Sequence, residues 1–415
     1  MLYATRRINL RHLEKEEKVL LKKLCVLSKK IYNQALDNIE NHFKDTGQFL
    51  FWKDNYKLIK SFWAYKELGS RYQAILKEAE SNYKTFMTTI KNGKQYNLYK
   101  DWQKANPPKK KKHYFPLISE NFSQNNGMVK IPMSIKYRKS YKDIWIALPH
   151  DLKETKIKKI VVRPKFYTME EFELLVIYKV DEISLNLDKN NALAIDLGVS
   201  NFATCADTNG KCFIIDGKKI KSINQGFNKT VAKINRMKKK QGNKGYTKGY
   251  RKLINKRTNQ VQDYLNKSVA FIVNYCIKNE IANIAIGYNQ AFQELSNIGH
   301  RNNQIFTQMP YSKFLKKLKF KCKKNNINLT IVDESYTSKA SFLDNDFLPE
   351  KRSNKKYTFS GKRVKRGLYI ASDGRLINAD VNGAFNILRK RKLVSPAIIR
   401  RIQSSGVAQP TRIRQ

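Results

Sequence analysis

The sequence has few cysteines, few acidic residues and no long apolar run. Its five cysteines are scattered without a CxxC pair, which excludes the usual cysteine ligand set of a zinc finger and the framework of a disulfide-stabilised secreted domain. No apolar run approaches the roughly 20 residues that span a bilayer, and the start, Met1 to Arg7, lacks the apolar stretch of a signal peptide. We therefore expect a cytoplasmic protein with reduced thiols and no membrane segment.

The shortage of acids leaves a large positive charge. The 415 residues include 82 Lys and Arg against 34 Asp and Glu, a formal net charge of +48, and 41% of them are hydrophobic. That hydrophobic content is enough for the cores of two or three domains, so the charge belongs to a folded protein. Nucleic acid is the expected partner, because counterion release would drive the binding of a polyanion along an extended surface. The 22 Tyr and 21 Phe could stack unpaired bases, although we expect most of these rings in the core.

The first half of the chain predicts a β-module that is interrupted by helices. Residues 1–10 and 128–189 contain short runs of alternating apolar residues, which predict a β-barrel module that the N-terminal strand joins. Between them, residues 11–127 predict a helical insert, because apolar residues repeat at spacings of three and four from Leu20 to Ile31.

The second half predicts an α/β domain, which makes the whole chain a multidomain α+β protein. Apolar strands and helices alternate over residues 190–391, with a helical insertion at 228–278. The last segment, 392–415, shows little periodicity, and we expect it to be a flexible tail.

Two aspartates stand where a carboxylate is useful for chemistry. Asp196 follows the buried-type strand Ala192 to Ile195 and precedes a glycine turn, where it needs a partner such as a divalent metal unless it caps the turn. Asp380 opens an apolar helix, Ala379 to Leu388, and taken alone it is best explained as an acid that interacts with the helix dipole.

Taken together, the two aspartates resemble nuclease motifs of the TnpB family. Asp196 begins the run DLGVSNFAT, and Asp380 lies in NADVNGAFNI; these match the first and third motifs of that family and, more distantly, of compact type V CRISPR effectors. The YTSK run at Tyr336 matches the segment that precedes the zinc-binding insert of the family. The resemblance covers the chain to about Arg391. It implies a wedge-like β-barrel module with its helical insert, followed by an RNase H-like (RuvC) domain that holds two Mg²⁺ ions, or Mn²⁺ in their place, for phosphodiester hydrolysis.

The third acid of the family is missing from its usual place. The family carries a Glu at the end of the fourth strand, which here ends in Ile286, Gly287 and Tyr288 without an acid. Glu334, after the next strand, is the favoured substitute, while Glu294 or no third acid are the alternatives. The neighbouring Asp333 should point the opposite way if the strand continues.

The zinc ligands of the family are missing as well. The insert, 339–375, carries two CxxC pairs in the family, but the corresponding positions here are Ser341, Asp344, Ile370 and Asp373. We therefore expect a degenerate insert without zinc.

The resemblance also implies partners: a guide RNA, and a double-stranded DNA target chosen by base pairing next to a short flanking motif. We expect phosphate contacts from a basic group, unless these charges merely face solvent. The group comprises Arg236, Lys238, Lys239, Lys240, Lys244, Lys248, Arg251 and Lys252. The favoured function is an RNA-guided, Mg²⁺-dependent DNA endonuclease. The alternatives are a nuclease-inactive DNA-binding repressor, a DNA-joining transposase and a structural RNA-binding protein, and the sequence leaves monomer and dimer open.

Overall fold

The computed structural model describes residues 1–96, 105–242, 245, 247–288, 300–350, 355–392, 395–405 and 409–415. Two of the predicted residues, Lys244 and Glu294, lie outside these ranges. The chain forms two compact units, Met1–Asp181 and Glu182–Gln415. The boundary lies before residue 182 and not at 189, because the segment that follows is already tied to the second unit. The backbone N–H of Ile183 donates to the carbonyl of Lys324 at 2.7 Å.

The first unit contains helices inside the predicted insert, 11–127, and one short helix beyond it, in the segment predicted as strands. They are α1 (Lys15–Thr46), α2 (Trp52–Ile59), α3 (Trp63–Leu68), α4 (Ala74–Tyr96) and α5 (Ile135–Ser140). The helix α1 begins with the N–H of Glu14 donating to the Glu17 carboxylate at 2.7 Å, and it ends at Gly47, whose left-handed φ of +69° suits glycine. The predicted apolar stripe from Leu20 to Ile31 is buried, so this periodicity is confirmed.

The strands of the first unit form two antiparallel sheets. They are β1 (Leu2–Asn9), β2 (Leu117–Ser119), β3 (Gln124–Asn125), β4 (Met128–Lys130), β5 (Trp145–Ala147), β6 (Ile157–Pro164) and β7 (Phe172–Val180). One sheet has the order β1-β7-β6-β2 and the other β3-β4-β5, so the N-terminal strand does pair with a later one. Helix does not extend to residue 127: β2 and β3 lie inside that range, and strands of two or three residues are too short to show a period. The barrel stays a prediction.

The second unit is built on a six-stranded sheet. Its strands are β8 (Asp188–Leu197), β9 (Asn201–Asp207), β10 (Cys212–Asp216), β11 (Ile281–Gly287), β12 (Asn328–Val332) and β16 (Thr411–Ile413). The order is β12-β11-β8-β9-β10-β16. Three consecutive antiparallel strands, β8 to β10, are extended by β11 and β12, which run parallel to β8. The carboxyl ends of β8, β11 and β12 therefore meet at one edge of the sheet.

Helices cover both faces of this sheet. They are α6 (Lys218–Lys240), α7 (Lys248–Lys278), α8 (His300–Thr307), α9 (Tyr311–Lys324), α10 (Ala379–Arg391) and α11 (Pro396–Ser405). Large apolar residues face α7 and α9, whereas α10 packs on a face of small residues, Ala192, Ala194 and Ala285. Small side chains allow α10 to approach the strands closely, which brings its first turn to the edge described above. A small three-stranded sheet, β13 (Lys362–Lys365), β14 (Leu368–Ile370) and β15 (Leu376–Asn378), precedes α10.

Two predicted segments need correction. The helical insertion begins at Lys218 and not at residue 228, because α6 starts directly after β10. The prediction of a flexible tail at 392–415 is wrong: Ile399 and Ile402 are buried, and β16 pairs in parallel with β10. Their spacing of three places both isoleucines on one face of α11, but such a short repeat is weak evidence in a sequence. All five cysteines are buried thiols, and no helix within the described ranges is long and apolar enough to cross a bilayer.

Candidate active site

Asp196 lies at the sheet edge, on the face that α10 covers. It pairs across the strands with Thr204, and one of its carboxylate oxygens lies against Gly383 of α10. A Cβ at position 383 would be 2.9 Å from Asp196 Oδ2, closer than such atoms normally come. Glycine at this position therefore lets the helix approach while the carboxylate keeps its place.

Asp380 does not cap α10. The N-cap is Asn378, whose side-chain oxygen accepts hydrogen bonds from the backbone N–H groups of Asp380 and Val381 at 3.0 and 3.2 Å. The Asp380 carboxylate is thereby left for other contacts: Oδ2 accepts from Asn201 Nδ2 at 2.7 Å, and Oδ1 accepts from Arg363 at 3.0 Å. Asp380 is thus an acid of the first helical turn, as the dipole explanation expects, but Asn378 and not Asp380 is the N-cap.

Glu334 approaches the same edge from the strand beyond β11. It follows the end of β12, which pairs in parallel with β11 so that Val332 stands opposite Gly287. A Cβ on Gly287 would lie 3.5 Å from Glu334 Cβ and 2.6 Å from Ile387 Cδ1. The space beside the end of β11 is thus filled by two neighbouring side chains.

The adjacent acid, Asp333, has a different environment. It is exposed, its carboxylate accepts from Lys390 at 3.4 Å, and it caps the backbone N–H of Ser335 at 2.8 Å. Glu334 is half-buried and makes neither contact. Asp333 therefore belongs to a surface ion pair, whereas Glu334 lies beside the sheet edge.

The charges of the other two acids act on Asp196. Burial, and then the charges of Asp380 and Glu334, raise the pKa of Asp196 well above its usual range, while Arg363 acts in the opposite direction. Burial also raises the pKa of Glu334, and the charge of Asp333 adds to this rise, whereas the charge of Lys390 lowers the pKa. The three carboxylates lie close enough for like charges to be costly, yet no three His, Cys, Asp or Glu side chains in the described part of the chain converge into a ready-made metal site.

Two arginines complete this edge, and neither was predicted from the sequence. Arg363 of β13 reaches Asp380, and Arg412 of β16 donates to Asn201 Oδ1 at 3.1 Å and to Asp216 at 3.2 Å. A chain of contacts thus runs from Arg412 through Asn201 and Asp380 to Arg363. Asn201 belongs to the DLGVSN run and was visible in the sequence, whereas nothing marks these two arginines among 82 basic residues.

The predicted phosphate contacts fall into two groups. Most are side chains of α6 or α7 that are exposed or half-exposed: Arg236, Lys238, Lys239, Lys240, Lys248 and Lys252. Arg251 is 7% exposed, so its predicted contact with phosphate is wrong for this structure. It stands on the buried stripe of α7 that continues in Leu265 and Ile272 at multiples of seven residues.

Hydrogen bonds tie the insert together where the family uses cysteines. The carboxylate of Asp344 accepts from the backbone N–H of Ser372 at 3.0 Å and from its hydroxyl at 2.6 Å. Asp346 accepts from the Ser341 N–H at 2.7 Å and from the Ser360 hydroxyl at 2.6 Å. These two aspartates link the segment after Lys339 to the residues around the small sheet. Ser372, the partner of Asp344, directly precedes Asp373, one of the positions that correspond to a family cysteine.

Comparisons with known proteins show what the chain as a whole is similar to. Residues 175–293 match the OrfB_IS605 family, which is described as a probable transposase, and residues 311–387 match the Cas12f1-like TNB domain. The TnpB-like protein ORF457 of Acidianus two-tailed virus is 21% identical over 421 residues, covering 94% of this chain and 87% of that protein. A chain in a cryo-EM structure of a Cas12f1–sgRNA–target DNA complex superposes with a TM-score of 0.60 at 19% identity, covering 90% of this chain and 83% of its own. At that identity the structural match shows a shared fold.

Proposed function

Because this chain is a TnpB-family protein, we propose that it is an RNA-guided DNA endonuclease that cuts guide-matched duplex DNA next to a short flanking motif. The observation that carries the proposal is the arrangement of Asp196, Glu334 and Asp380 at one edge of the six-stranded sheet, where burial and then the charges of the other two acids raise the pKa of Asp196. Two-metal hydrolysis of a phosphodiester uses such oxygen ligands for its divalent cations.

The topology supports an RNase H-like, RuvC-type domain for the second unit. Three antiparallel strands are followed by two that run parallel to the first, with helices on both faces. Each acid comes from a different element: Asp196 from β8, Glu334 from the end of β12 and Asp380 from the first turn of α10. Carboxylates that converge from separate elements form a site whose geometry the whole fold must maintain.

The residues present suit Mg²⁺, which prefers carboxylate oxygens, and Asp196, Glu334 and Asp380 would hold it. When bound, two Mg²⁺ ions supply activation of the attacking water and stabilisation of the leaving oxygen. Asn201 fixes the orientation of Asp380 through its hydrogen bond at 2.7 Å. Arg363 pairs with Asp380 Oδ1 at 3.0 Å, and cation binding at that oxygen would compete with it.

The partners follow from charge and from the family. The exposed lysines and arginine on α6 and α7 offer a surface for the phosphates of a guide RNA or of the paired target strand. The Cas12f1 chain that shares this fold forms a complex with sgRNA and target DNA. For this chain we propose the same two classes of nucleic acid.

Cleavage by the purified complex tests the proposal. We would co-express the protein with its RNA, add guide-matched duplex DNA and Mg²⁺, and vary the flanking sequence. Cleavage is expected, and its loss in Asp196→Asn with RNA binding retained would support the site. Binding without cleavage for every flanking sequence would overturn the nuclease proposal.

The third acid is decided by two matched variants. Glu334→Gln should lower the cleavage rate by orders of magnitude while keeping RNA and DNA binding, because the amide cannot replace a charged ligand. Glu294→Gln, the same change in the alternative acid, should cleave normally. The reverse pattern would transfer the role to Glu294.

One observation favours a second candidate, a nuclease-inactive RNA-guided DNA-binding protein. Position 287, where the family carries its acid, is a glycine, and the described acids do not form a closed metal site. Tight, guide-dependent DNA binding without cleavage would establish this alternative.

A further inference from the structure

The first unit carries an open groove, whose residues precede those of the candidate active site in the sequence. It is formed by α1, by the start of α3 and by α5 with the residue that follows it, and it encloses about 770 Å³. Its apolar lining includes Val19, Val26, Trp63, Tyr137 and Tyr141. We call this feature the Trp63 groove. Its volume is within the range of ligand sites, about 300–1,000 Å³.

The Trp63 groove exposes apolar surface that the isolated unit does not cover. Trp63 is 50% exposed and Val19 is 44% exposed, although both stand on helices whose other faces are packed in the core. A contiguous apolar and aromatic surface of this kind marks an interaction site, because leaving it in water is unfavourable. Aromatic side chains additionally offer flat faces for stacking.

The charges around the Trp63 groove are mainly positive. Lys30 Nζ lies 4.1 Å from the centre of the Trp63 ring, and Lys23 Nζ lies 3.2 Å from the Tyr141 hydroxyl. The one acid of the lining, Glu67, accepts from the Tyr137 hydroxyl at 2.6 Å and pairs with Lys136 at 3.5 Å. Its charge is therefore compensated locally.

Two lysines of α1 lie at the rim and are accessible to solvent, although Lys23 also donates to the Tyr141 hydroxyl. Lys22 and Lys23 are both exposed and line the groove. Aromatic faces beside exposed lysines suit a chain of alternating bases and phosphates. An apolar protein segment has no anionic groups that would pair with the lysines. The occupant should therefore be an anion with flat apolar groups, which describes single-stranded nucleic acid.

We propose that the Trp63 groove binds unpaired nucleotides of the guide RNA, with bases stacked on Trp63 and Tyr141 and phosphates on Lys22 and Lys23. The proposal rests on the proposed function, which supplies an RNA that stays with the protein. A permanent partner is favoured over target DNA, because the exposed apolar surface needs a cover before any target arrives. Unpaired bases are required, since paired bases cannot offer a face to the rings.

Binding of a short oligouridylate to the purified protein tests the proposal without any need for cleavage. Trp63→Ala should weaken the Kd by about 5- to 100-fold, the effect of losing one base–aromatic stack. Trp145→Ala is the matched control, because Trp145 is 37% exposed and also lies under a lysine, with Lys130 Nζ 5.6 Å from its ring centre. This control should bind like the unmodified protein.

Two further variants guard against a folding defect. Trp63→Phe keeps a ring and should retain most of the affinity, while Lys22→Glu leaves the apolar lining intact and should weaken binding more at low salt than at high salt. An unchanged Kd in both Trp63→Ala and Lys22→Glu would overturn the proposal.

Competing occupants give different results. Tighter binding of oligothymidylate than of oligouridylate, lost in Trp63→Ala, would assign the Trp63 groove to a DNA strand and overturn the RNA assignment. A change in the sedimentation of the free protein on Trp63→Ala, without a change in Kd, would assign it to a second copy of the chain. A protein that fails to cleave DNA but shows the expected loss in Kd would refute the endonuclease and leave the groove assignment standing.

Discussion

The contact between Gly287 and Ile387 allows a quantitative test of the strand end on which the site depends. A Cβ at position 287 would lie 2.6 Å from Ile387 Cδ1, and Ile387 is fully buried. Gly287→Ala must therefore displace the end of a packed side chain. Overpacking of this kind costs about 1–3 kcal/mol in the free energy of unfolding.

The atom that clashes can be removed. Ile387→Val deletes Cδ1 and alone should cost about 0.5–1.5 kcal/mol, because it leaves a small cavity. In the double variant the new Cβ enters that cavity. The double variant should therefore lose less free energy of unfolding than the two single variants lose together. We expect a favourable coupling of at least about 0.5 kcal/mol, as is found for residues in direct contact.

The assay can separate the two units by their spectroscopy. All four tryptophans, Trp52, Trp63, Trp102 and Trp145, precede residue 182, so tryptophan fluorescence in urea reports the first unit alone. The variants should leave that transition unchanged and shift the transition that far-UV circular dichroism assigns to the second unit. Strictly additive costs, or a shift of the fluorescence transition, would refute the packing described at this strand end.

Three other predictions concern single side chains. Asp196→Asn should raise the thermal midpoint of the metal-free protein, because burial and neighbouring acids disfavour the charged form, and it should abolish stabilisation by Mg²⁺; a Mg²⁺-dependent shift in the variant would contradict the ligand role. Burial pushes the pKa of Asp344 up but hydrogen bonds from Ser341 and Ser372 outweigh it, so its pKa is lowered. The stability that ionised Asp344 contributes is complete above its unfolded pKa of about 3.9 and is lost as the pH falls below that value. Hydrogen exchange of the insert should therefore rise at low pH in the unmodified protein, and it should rise less in Asp344→Ala. An equal rise in both proteins would reject the link. Tyr311→Phe should raise the free energy of unfolding by about 1 kcal/mol, since its buried hydroxyl has no hydrogen-bond partner among the described residues; a loss of stability would reveal such a partner.

Local patterns in the sequence were sufficient to single out two of the three acids of the proposed site. Asp196 and Asp380 each lie inside a run that also contains the residues which place them, such as Asn201 and the capping Asn378. Glu334 needed one further step, the expectation that the strand before it lies beside β11. That step could be taken from the sequence because parallel strands that follow one another around a helix are commonly neighbours.

Contacts between distant segments could not be predicted in this way. Arg363 and Arg412 reach the site only because the small sheet and the last strand fold back onto it, and a basic residue carries no local mark of its partner. Arg251 was expected to contact phosphate but is buried, because the packing of a helix decides whether a charged side chain on it faces solvent or the core. The last helix was missed for a related reason: its buried face consists of few residues.

The position of Glu334, the proposed third acid, depends on the helix that carries Asp380. The backbone carbonyl of Glu334 accepts from the Thr337 hydroxyl at 2.8 Å, and the Thr337 carbonyl in turn accepts from Asn386 of α10 at 3.0 Å. Lys390 of α10 holds the neighbouring Asp333 on the outer side. One helix therefore fixes Asp380 directly and Glu334 through the Y-T-S segment. A carboxylate at the end of β12 can take the proposed role of an acid on β11 because the same helix packs against both strands.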